Sequence, residues 1–218
     1  MNIPFTAEDF LRVIRSYNES VFPLQILFNL LALLVIYLIF SKVKYKNKYI
    51  SSVLSFLFLW IGIIYQLMFF TQINNAAYIF GPLFILQGIL FFIYGVYFDK
   101  LEFRFNNNYM NYTGIIFLLY GLIIYPVLGY YLGHRYPNSP TFGLPCPTVI
   151  FTLGILLFIK DNISVFVLII PVLWSLIGFN AAISFSIYED TGLLIAGIVG
   201  LGLLIFNNRK FKYVVETT

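Results

Sequence analysis

The residues with the richest chemistry lie in one segment, 133–148, which reads Gly-His-Arg-Tyr-Pro-Asn-Ser-Pro-Thr-Phe-Gly-Leu-Pro-Cys-Pro-Thr. It contains the only histidine of the chain, His134, and the only cysteine, Cys146. A histidine can act as an acid, a base or a metal ligand, and a cysteine as a nucleophile, a redox thiol or a soft-metal ligand. Prolines restrict backbone freedom, so four of them predict a loop of defined shape.

Cys146 lies between Pro145 and Pro147. Pro147 suits the first position of a helix, which predicts that Cys146 is the helix N-cap. The positive end of the helix dipole would then stabilise the thiolate and favour reactivity. The alternative, which the absence of a second cysteine favours, is a small buried residue where the loop packs down.

His134 is close enough in sequence to meet Cys146 in space, which would form a Cys–His pair. The alternative for His134 is a hydrogen-bonded structural role. One histidine and one cysteine exclude a three-histidine zinc site and a thiolate cluster within one chain. His134 and Cys146 remain the only candidates for metal ligands, and the sequence predicts no bound metal or cofactor.

Glu189 and Asp190 follow the sixth apolar run of the chain. Facing the 133–148 loop, they could bind a cation or relay a proton. The alternative is a capping role at the start of the next helix, with both side chains in water.

The rest of the chain, which must position these side chains, is mostly apolar. Of the 218 residues, 61% are hydrophobic and 10% are charged, whereas soluble domains have roughly 25% charged residues. This composition makes a soluble enzyme, a nucleic-acid-binding domain and a disordered protein improbable. The basic residues separate the apolar runs instead of forming a patch, so the predicted partner is a lipid bilayer and no nucleic acid.

The predicted fold is an all-α bundle of seven membrane-spanning helices, since a span needs about 20 mostly apolar residues. The predicted spans are Pro23–Phe40, Ile50–Phe70, Tyr78–Phe98, Thr113–Leu132, Phe142–Ile159, Ile163–Phe185 and Gly192–Phe206. The fifth has a short uninterrupted apolar run after Pro147, so a re-entrant segment is the alternative there.

Charge predicts the orientation of the bundle. Under the seven-span arrangement, ten of the thirteen Lys and Arg residues fall on one side, which is the cytoplasmic side by the positive-inside rule. The N-terminus is then outside, and residues 207–218 form a cytoplasmic basic tail. The predicted location is the cytoplasmic membrane of a bacterium.

Residues 1–22 predict a short amphipathic helix on the outer interface, ahead of the transmembrane domain 23–206. Thr6 and Asp9 have the spacing of a capping box, and Phe5 and Phe10 that of a hydrophobic staple. Pro23 separates this helix from the first span. The alternative is a plain extension of that span.

A path for a small solute would need polar side chains at membrane depth. The candidates are Gln66, Gln87 and Asn180, with Asn75 in a loop. No carboxylate or histidine lies at mid-membrane in the predicted spans, which argues against ion coupling but not against a facilitator.

Several motifs along the chain resemble a known family. They are Pro4-Phe-Thr-Ala-Glu-Asp-Phe, Tyr17-Asn18, Asn74 to Ala77, Gly133-His-Arg-Tyr-Pro, Thr141-Phe-Gly-Leu-Pro-Cys-Pro-Thr with Phe151-Thr-Leu-Gly, Pro171 to Gly178, and Glu189-Asp190. Together they resemble prokaryotic multi-pass membrane proteins catalogued as a domain of unknown function, some of them labelled permeases. The resemblance covers almost the whole chain and implies the bundle fold, without a catalytic assignment. The motif residues expected to have structural roles are Tyr136, Pro137, Gly143, Pro145, Pro147, Thr148 and Trp174.

Three functions follow from these features. The first is a permease-like facilitator of a small solute. The second is an outward-facing membrane enzyme or metal/thiol site, which requires His134, Cys146 and Glu189 or Asp190 to converge. The third is a non-catalytic sensor or assembly partner, for which the outer loops would form a compact cap without a cavity. The sequence favours a protein without enzymatic activity over an enzyme. A homo-oligomer is compatible with all three functions.

Overall fold

The computed structural model describes residues 5–160 and 162–217, without the side chains of residues 181, 182 and 209–217. The first motif residue, Pro4, and the side chains of the basic tail from Arg209 therefore lie outside the described residues. The helices are α1 (Ala7–Val21), α2 (Leu24–Phe40), α3 (Lys46–Gln72), α4 (Ala77–Tyr97), α5 (Tyr109–Tyr131), α6 (Pro145–Leu156), α7 (Val165–Phe185) and α8 (Thr191–Thr217). Within the described ranges the fold is all-helical, and its only β pairing is two isolated bridges.

Five helices are long and apolar enough to cross a membrane: α3, α4, α5, α7 and the helical segment Tyr188–Asn208 that contains most of α8. A sixth is obtained if α1 and α2, which are bent by 85° relative to each other, are taken together. The segment predicted as the fifth span contains α6, a helix of only 12 residues. Seven helices of full membrane length are therefore not confirmed.

Beyond α6 the chain continues through a turn at residues 157–158 and an isolated β-bridge between Ile159 and Phe103. A helix of this length is about 18 Å long, well short of the ~30 Å apolar core of a bilayer. After α6, the backbone N–H of Arg104 donates to the Phe158 carbonyl at 2.8 Å, and that of Lys160 donates to the Glu102 carbonyl at 3.0 Å. This pairing satisfies backbone groups that a longer helix would have satisfied internally.

Helix α6 is the centre of the bundle. All its residues are buried except Cys146, which is partly exposed. Helix α5 approaches it closely through Gly114 and Gly154: a Cβ added to Gly154 would lie 3.0 Å from the Gly114 carbonyl oxygen. The small residues allow the two backbones to touch, as in tightly packed membrane helices.

Helix α1 begins with the predicted capping box, since the Thr6 side chain accepts from the Asp9 N–H and the Asp9 carboxylate accepts from the Thr6 N–H. The hydrogen bonds from Thr6 hold the pKa of Asp9 below its usual value. The apolar side of α1 packs on the bundle, where Ile14 and Tyr17 join one core cluster with Tyr65. This apolar side is therefore covered by protein, and only the polar side of the helix is exposed.

Three helices contain π-helical turns, at Ile61–Phe69, Phe92–Tyr97 and Tyr120–Ile124. The third directly precedes Pro126 in α5. Pro126 has no N–H to donate to the preceding turn, and the wider turn accommodates this loss. Tyr120 and Tyr125 both donate to the same neighbouring segment, Tyr120 to the Glu189 carbonyl and Tyr125 to the Asp190 carboxylate.

Candidate functional site

One end of the bundle holds the unusual residues predicted from sequence. We call it the α1 end; it consists of α1, the loop 132–144 and the turn Tyr188–Asp190. The opposite end, called the basic end, consists of segments 41–45, 98–108 and 157–164.

Asn18 on α1 anchors the loop 132–144. Its Nδ2 donates to the carbonyls of Pro137 at 2.7 Å and Ser139 at 2.8 Å, and its Oδ1 accepts from the Thr141 hydroxyl at 2.8 Å. Asn18 is fully buried. Since every polar atom of its amide group is used, α1 and the loop form one rigid unit.

The loop enters α6 through a glycine turn. Gly143 has a φ of 101°, and its N–H donates to the Thr148 hydroxyl at 3.1 Å. Helix α6 then begins at Pro145, with Leu144 as the N-cap. The prediction that Cys146 is the N-cap was wrong, because Pro145 already occupies the first helical position that its fixed φ favours.

Glu189 is buried and bonded to His134. Its Oε1 lies 2.8 Å from His134 Nδ1, and its side chain is 0% exposed. The backbone carbonyl of Glu189 accepts from the Tyr120 hydroxyl at 2.8 Å. The expectation of a solvated capping carboxylate was wrong for this residue, because the loop and α5 cover it.

Asp190 is bonded to α5 instead. Its Oδ1 accepts from the Tyr125 hydroxyl at 2.5 Å, and Asp190 is 3% exposed. The two consecutive carboxylates therefore have separate partners, a histidine and a tyrosine. Burying carboxylates is costly unless they are hydrogen-bonded or paired, so this turn is a specialised part of the fold.

Cys146 faces Asp190 and Trp174, not His134. Gly178 of α7 leaves the space open, because a Cβ there would lie 3.6 Å from Cys146 Sγ and 3.5 Å from Trp174 Nε1. The hydrogen bond of His134 goes to Glu189, so the structure does not support the Cys–His pair. A carboxylate neighbour also opposes the thiolate that the helix dipole would favour.

Cys146, Trp174 and Asp190 form the inner end of a cavity of about 530 Å³. Six of its eighteen lining residues are aromatic, and its lining also includes the exposed positions Asn180 and Ser184 of α7. The complete lining is Phe5, Phe10, Ile14, Tyr65, Phe70, Asn74, Ala76, Phe80, Pro140, Leu144, Pro145, Cys146, Trp174, Ile177, Gly178, Asn180, Ser184 and Asp190. The volume is that of an ordinary small-molecule site.

Aromatic rings from three helices roof this cavity. Phe10 of α1 stacks on Phe185 of α7 with centroids 5.3 Å apart, and it meets Phe70 of α3 edge-on at 6.1 Å. Phe5 packs against Phe185 at 5.1 Å. The N-terminal part of α1 therefore closes one side of the cavity.

A smaller cavity of about 190 Å³ lies on the other side of Tyr125, between α2, α5 and the loop. Gln25, Asn29 and Tyr136 contribute polar atoms to its lining. Among the described residues, the buried Gln25 Oε1 has no hydrogen-bond partner. Tyr125 lines this smaller cavity and Asp190 lines the larger one, so their hydrogen bond joins residues of the two linings.

The four residues predicted to line a solute path do not lie together in the structure. Gln66 is buried without a partner in the described part of the chain, whereas Gln87 donates from Nε2 to the Val167 carbonyl at 3.0 Å. Asn75 is exposed, and of the four only Asn180 lines the larger cavity. The residues of the structure that are described contain no group of three or more His, Cys, Asp or Glu side chains able to hold a metal ion.

Two of the residues that complete the site were not singled out as site residues from the sequence. Tyr125 binds Asp190, and Asn18 binds the loop. The available signals were the Tyr-Pro pair inside an otherwise apolar span and an asparagine on the apolar side of an amphipathic helix. Both place a polar group where it needs a protein partner.

Taken together, the chain is an all-helical protein with several helices that could span a membrane, with buried polar groups gathered at one end. It belongs to the family described as Family of unknown function (DUF6064), whose sequence model matches residues 7–214. The predicted membership in a family of unknown function is thereby confirmed. No curated protein and no solved structure matches the chain.

Proposed function

We propose that this protein is a multi-pass membrane protein that binds a small solute at the α1 end, in the manner of a permease. The observation that carries the proposal is the cavity whose inner end combines a buried carboxylate, Asp190, with the only thiol, Cys146. A concave, mostly apolar space with a few convergent polar groups is the usual form of a ligand site.

We further propose seven passes, with the α1 end outside the cytoplasmic membrane of a bacterial cell. The segment 142–160 contacts both ends of the bundle: Tyr17 donates to the Gly143 carbonyl at 3.4 Å, whereas Phe158 pairs with Arg104. This supports a crossing by α6 and its extension. With seven passes, ten Lys and Arg residues are cytoplasmic. Exposed Leu30, Leu33 and Tyr37 on α2 are suited to contact lipid.

An unpartnered polar atom at the site supports ligand binding over a purely structural cap. Among the described residues that line the cavity, Trp174 has an indole Nε1 that is buried without a hydrogen-bond partner. Such atoms are rare in native structures and cost free energy unless water or a ligand satisfies them. The sensor or assembly hypothesis requires a cap without a cavity, which the 530 Å³ space disfavours.

An enzyme is the second candidate, because His134, Glu189, Asp190 and Cys146 converge around a single turn. The His134–Glu189 pair could transfer a proton, and Cys146 faces the space where a substrate would lie. The carboxylate beside Cys146 makes this candidate the weaker one, since it disfavours a thiolate nucleophile.

The test uses the full chain reconstituted in liposomes. Radiolabelled amines, amino acids, carboxylates and sugars are screened for saturable binding and uptake. We expect one class to bind, and we expect that binding to be lost after N-ethylmaleimide has alkylated Cys146 and occupied the cavity. Cys146→Ser is the matched control, because it removes the reactive sulfur with little change in volume and should bind whether or not the reagent is added.

Binding with uptake would support a permease, and binding without uptake a receptor. The proposal would be overturned if no solute class bound saturably. Binding that is unaffected by alkylation and by the cavity-filling variant Ser184→Phe would also overturn it.

A further inference from the structure

The larger cavity also indicates the chemical class of its ligand, an inference that rests on the proposed solute-binding function. The lining includes the aromatic side chains of Phe10, Tyr65, Phe70 and Phe80. Aromatic faces carry a negative quadrupole that attracts cations, most strongly in a site shielded from water.

The described residues that line the cavity carry negative charge and no positive charge. Its lining includes one carboxylate, Asp190, and none of the described residues that line it is Lys, Arg or His. The nearby His134 is hydrogen-bonded to Glu189. Asp190 accepts a hydrogen bond from the neutral hydroxyl of Tyr125. A buried carboxylate with no cationic partner is unfavourable, and a cationic ligand would relieve that cost.

A second buried group points into the same space. Trp174 is 8% exposed, lines the cavity, and has no hydrogen-bond partner for its indole N–H among the described residues. The N–H requires an acceptor, and it lies beside Cys146 at the inner end. A ligand oxygen near the cationic group would satisfy this donor.

We propose that the cavity at the α1 end binds an organic cation, an amine with an apolar body and a nearby oxygen acceptor, whose ammonium group faces Asp190. The volume and the apolar walls fit an organic molecule better than an inorganic ion, because an inorganic ion would need several oxygen ligands in place of ring faces.

Cys146 is a built-in reporter of this preference. Purified full-length protein is treated with three methanethiosulfonates, bearing an ethyltrimethylammonium, a neutral 3,3-dimethylbutyl or an ethylsulfonate group. Rates are divided by those for the same chain denatured with urea in an uncharged detergent. We expect the cationic reagent to modify Cys146 at least about tenfold faster than the anionic one, because one nearby charge acts with opposite sign on the two reagents.

Asp190→Asn should bring this ratio close to one. Glu189→Gln is the matched control, since this neighbouring carboxylate is bonded to His134 and does not line the cavity; it should retain most of the preference. A ratio near one in the wild type, or a ratio that Asp190→Asn leaves unchanged, would overturn the cation assignment.

A measurement on the wild type alone covers the case in which Asp190→Asn does not fold. Phenethylamine should slow modification of Cys146 by the neutral reagent, whereas 2-phenylethanol at equal concentration should not. Equal protection by both would overturn the cation assignment while leaving the solute site in place. Absence of saturable binding of any solute class in the liposome screen would instead overturn the proposed function itself.

Discussion

The acidic turn at the α1 end and the ion pair at the basic end accommodate charge in opposite ways. At the α1 end, Glu189 and Asp190 are buried and bonded to His134 and Tyr125. At the basic end, Lys160 and Glu102 form a pair 3.3 Å apart in which both side chains are about half-exposed. Exposed ion pairs contribute little to stability, and buried polar groups contribute only when all partners are present. Solubility alone therefore does not explain the burial of polar groups at the α1 end.

Removing the Asn18 amide should have the largest effect on the α1 end. Asn18→Leu leaves the carbonyls of Pro137 and Ser139 and the hydroxyl of Thr141 without their partner, which should lower the free energy of unfolding by about 3 kcal/mol. Unfolding in mixed detergent and SDS micelles, followed by circular dichroism, measures it. Ser20→Ala, at an exposed position of α1, is the control; equal stability of both variants would show that the loop anchor is dispensable.

Removal of the Tyr125 hydroxyl should have the next largest effect. Tyr125→Phe deprives the buried Asp190 carboxylate of its donor, and a hydrogen bond to a charged group contributes about 2 kcal/mol. Tyr109→Phe, on the same helix but exposed, should be silent in the same unfolding measurement. A silent Tyr125→Phe would mean that Asp190 is satisfied by another group, which would weaken the contrast between the two ends.

A substitution at Gly154 tests the close packing of α6 against α5. The methyl group of Gly154→Ala would lie 3.0 Å from the Gly114 oxygen, and we expect a loss of about 1.5 kcal/mol from overpacking. Gly202→Ala is the control, because nothing lies within 4 Å of its added Cβ, and it should be neutral or slightly stabilising. Equal effects at the two glycines would contradict the close contact of α5 and α6.

The smallest effect is expected at the basic end. Lys160→Ala removes a half-exposed ion pair and should cost below about 1 kcal/mol, with less effect still at high salt. The comparison is with Asn18→Leu in the same micelles. A loss as large as that of Asn18→Leu would show that the two ends do not differ in the way their burial suggests.

Sequence periodicity and capping chemistry predicted most of the helices. The predicted span Ile163–Phe185 corresponds to α7 at Val165–Phe185, and the Thr6–Asp9 capping box begins α1 as expected. These features are local: an apolar run of sufficient length and a side chain reaching the first free N–H specify them without tertiary contacts. The composition likewise sufficed to predict helices suited to a membrane.

Tertiary structure alone decided which polar residues meet. Glu189 and Asp190 are neighbours in the sequence, yet they have different partners in the fold. Glu189 is hydrogen-bonded to His134, and Asp190 to Tyr125. Cys146 faces Asp190. Hydrophobicity does not record which side of a helix faces which neighbour, and a pairing between residues more than fifty positions apart depends on how the helices pack. For the same reason the length of α6 could not be predicted from its apolar run, because the segment that follows it pairs with a distant loop through backbone hydrogen bonds.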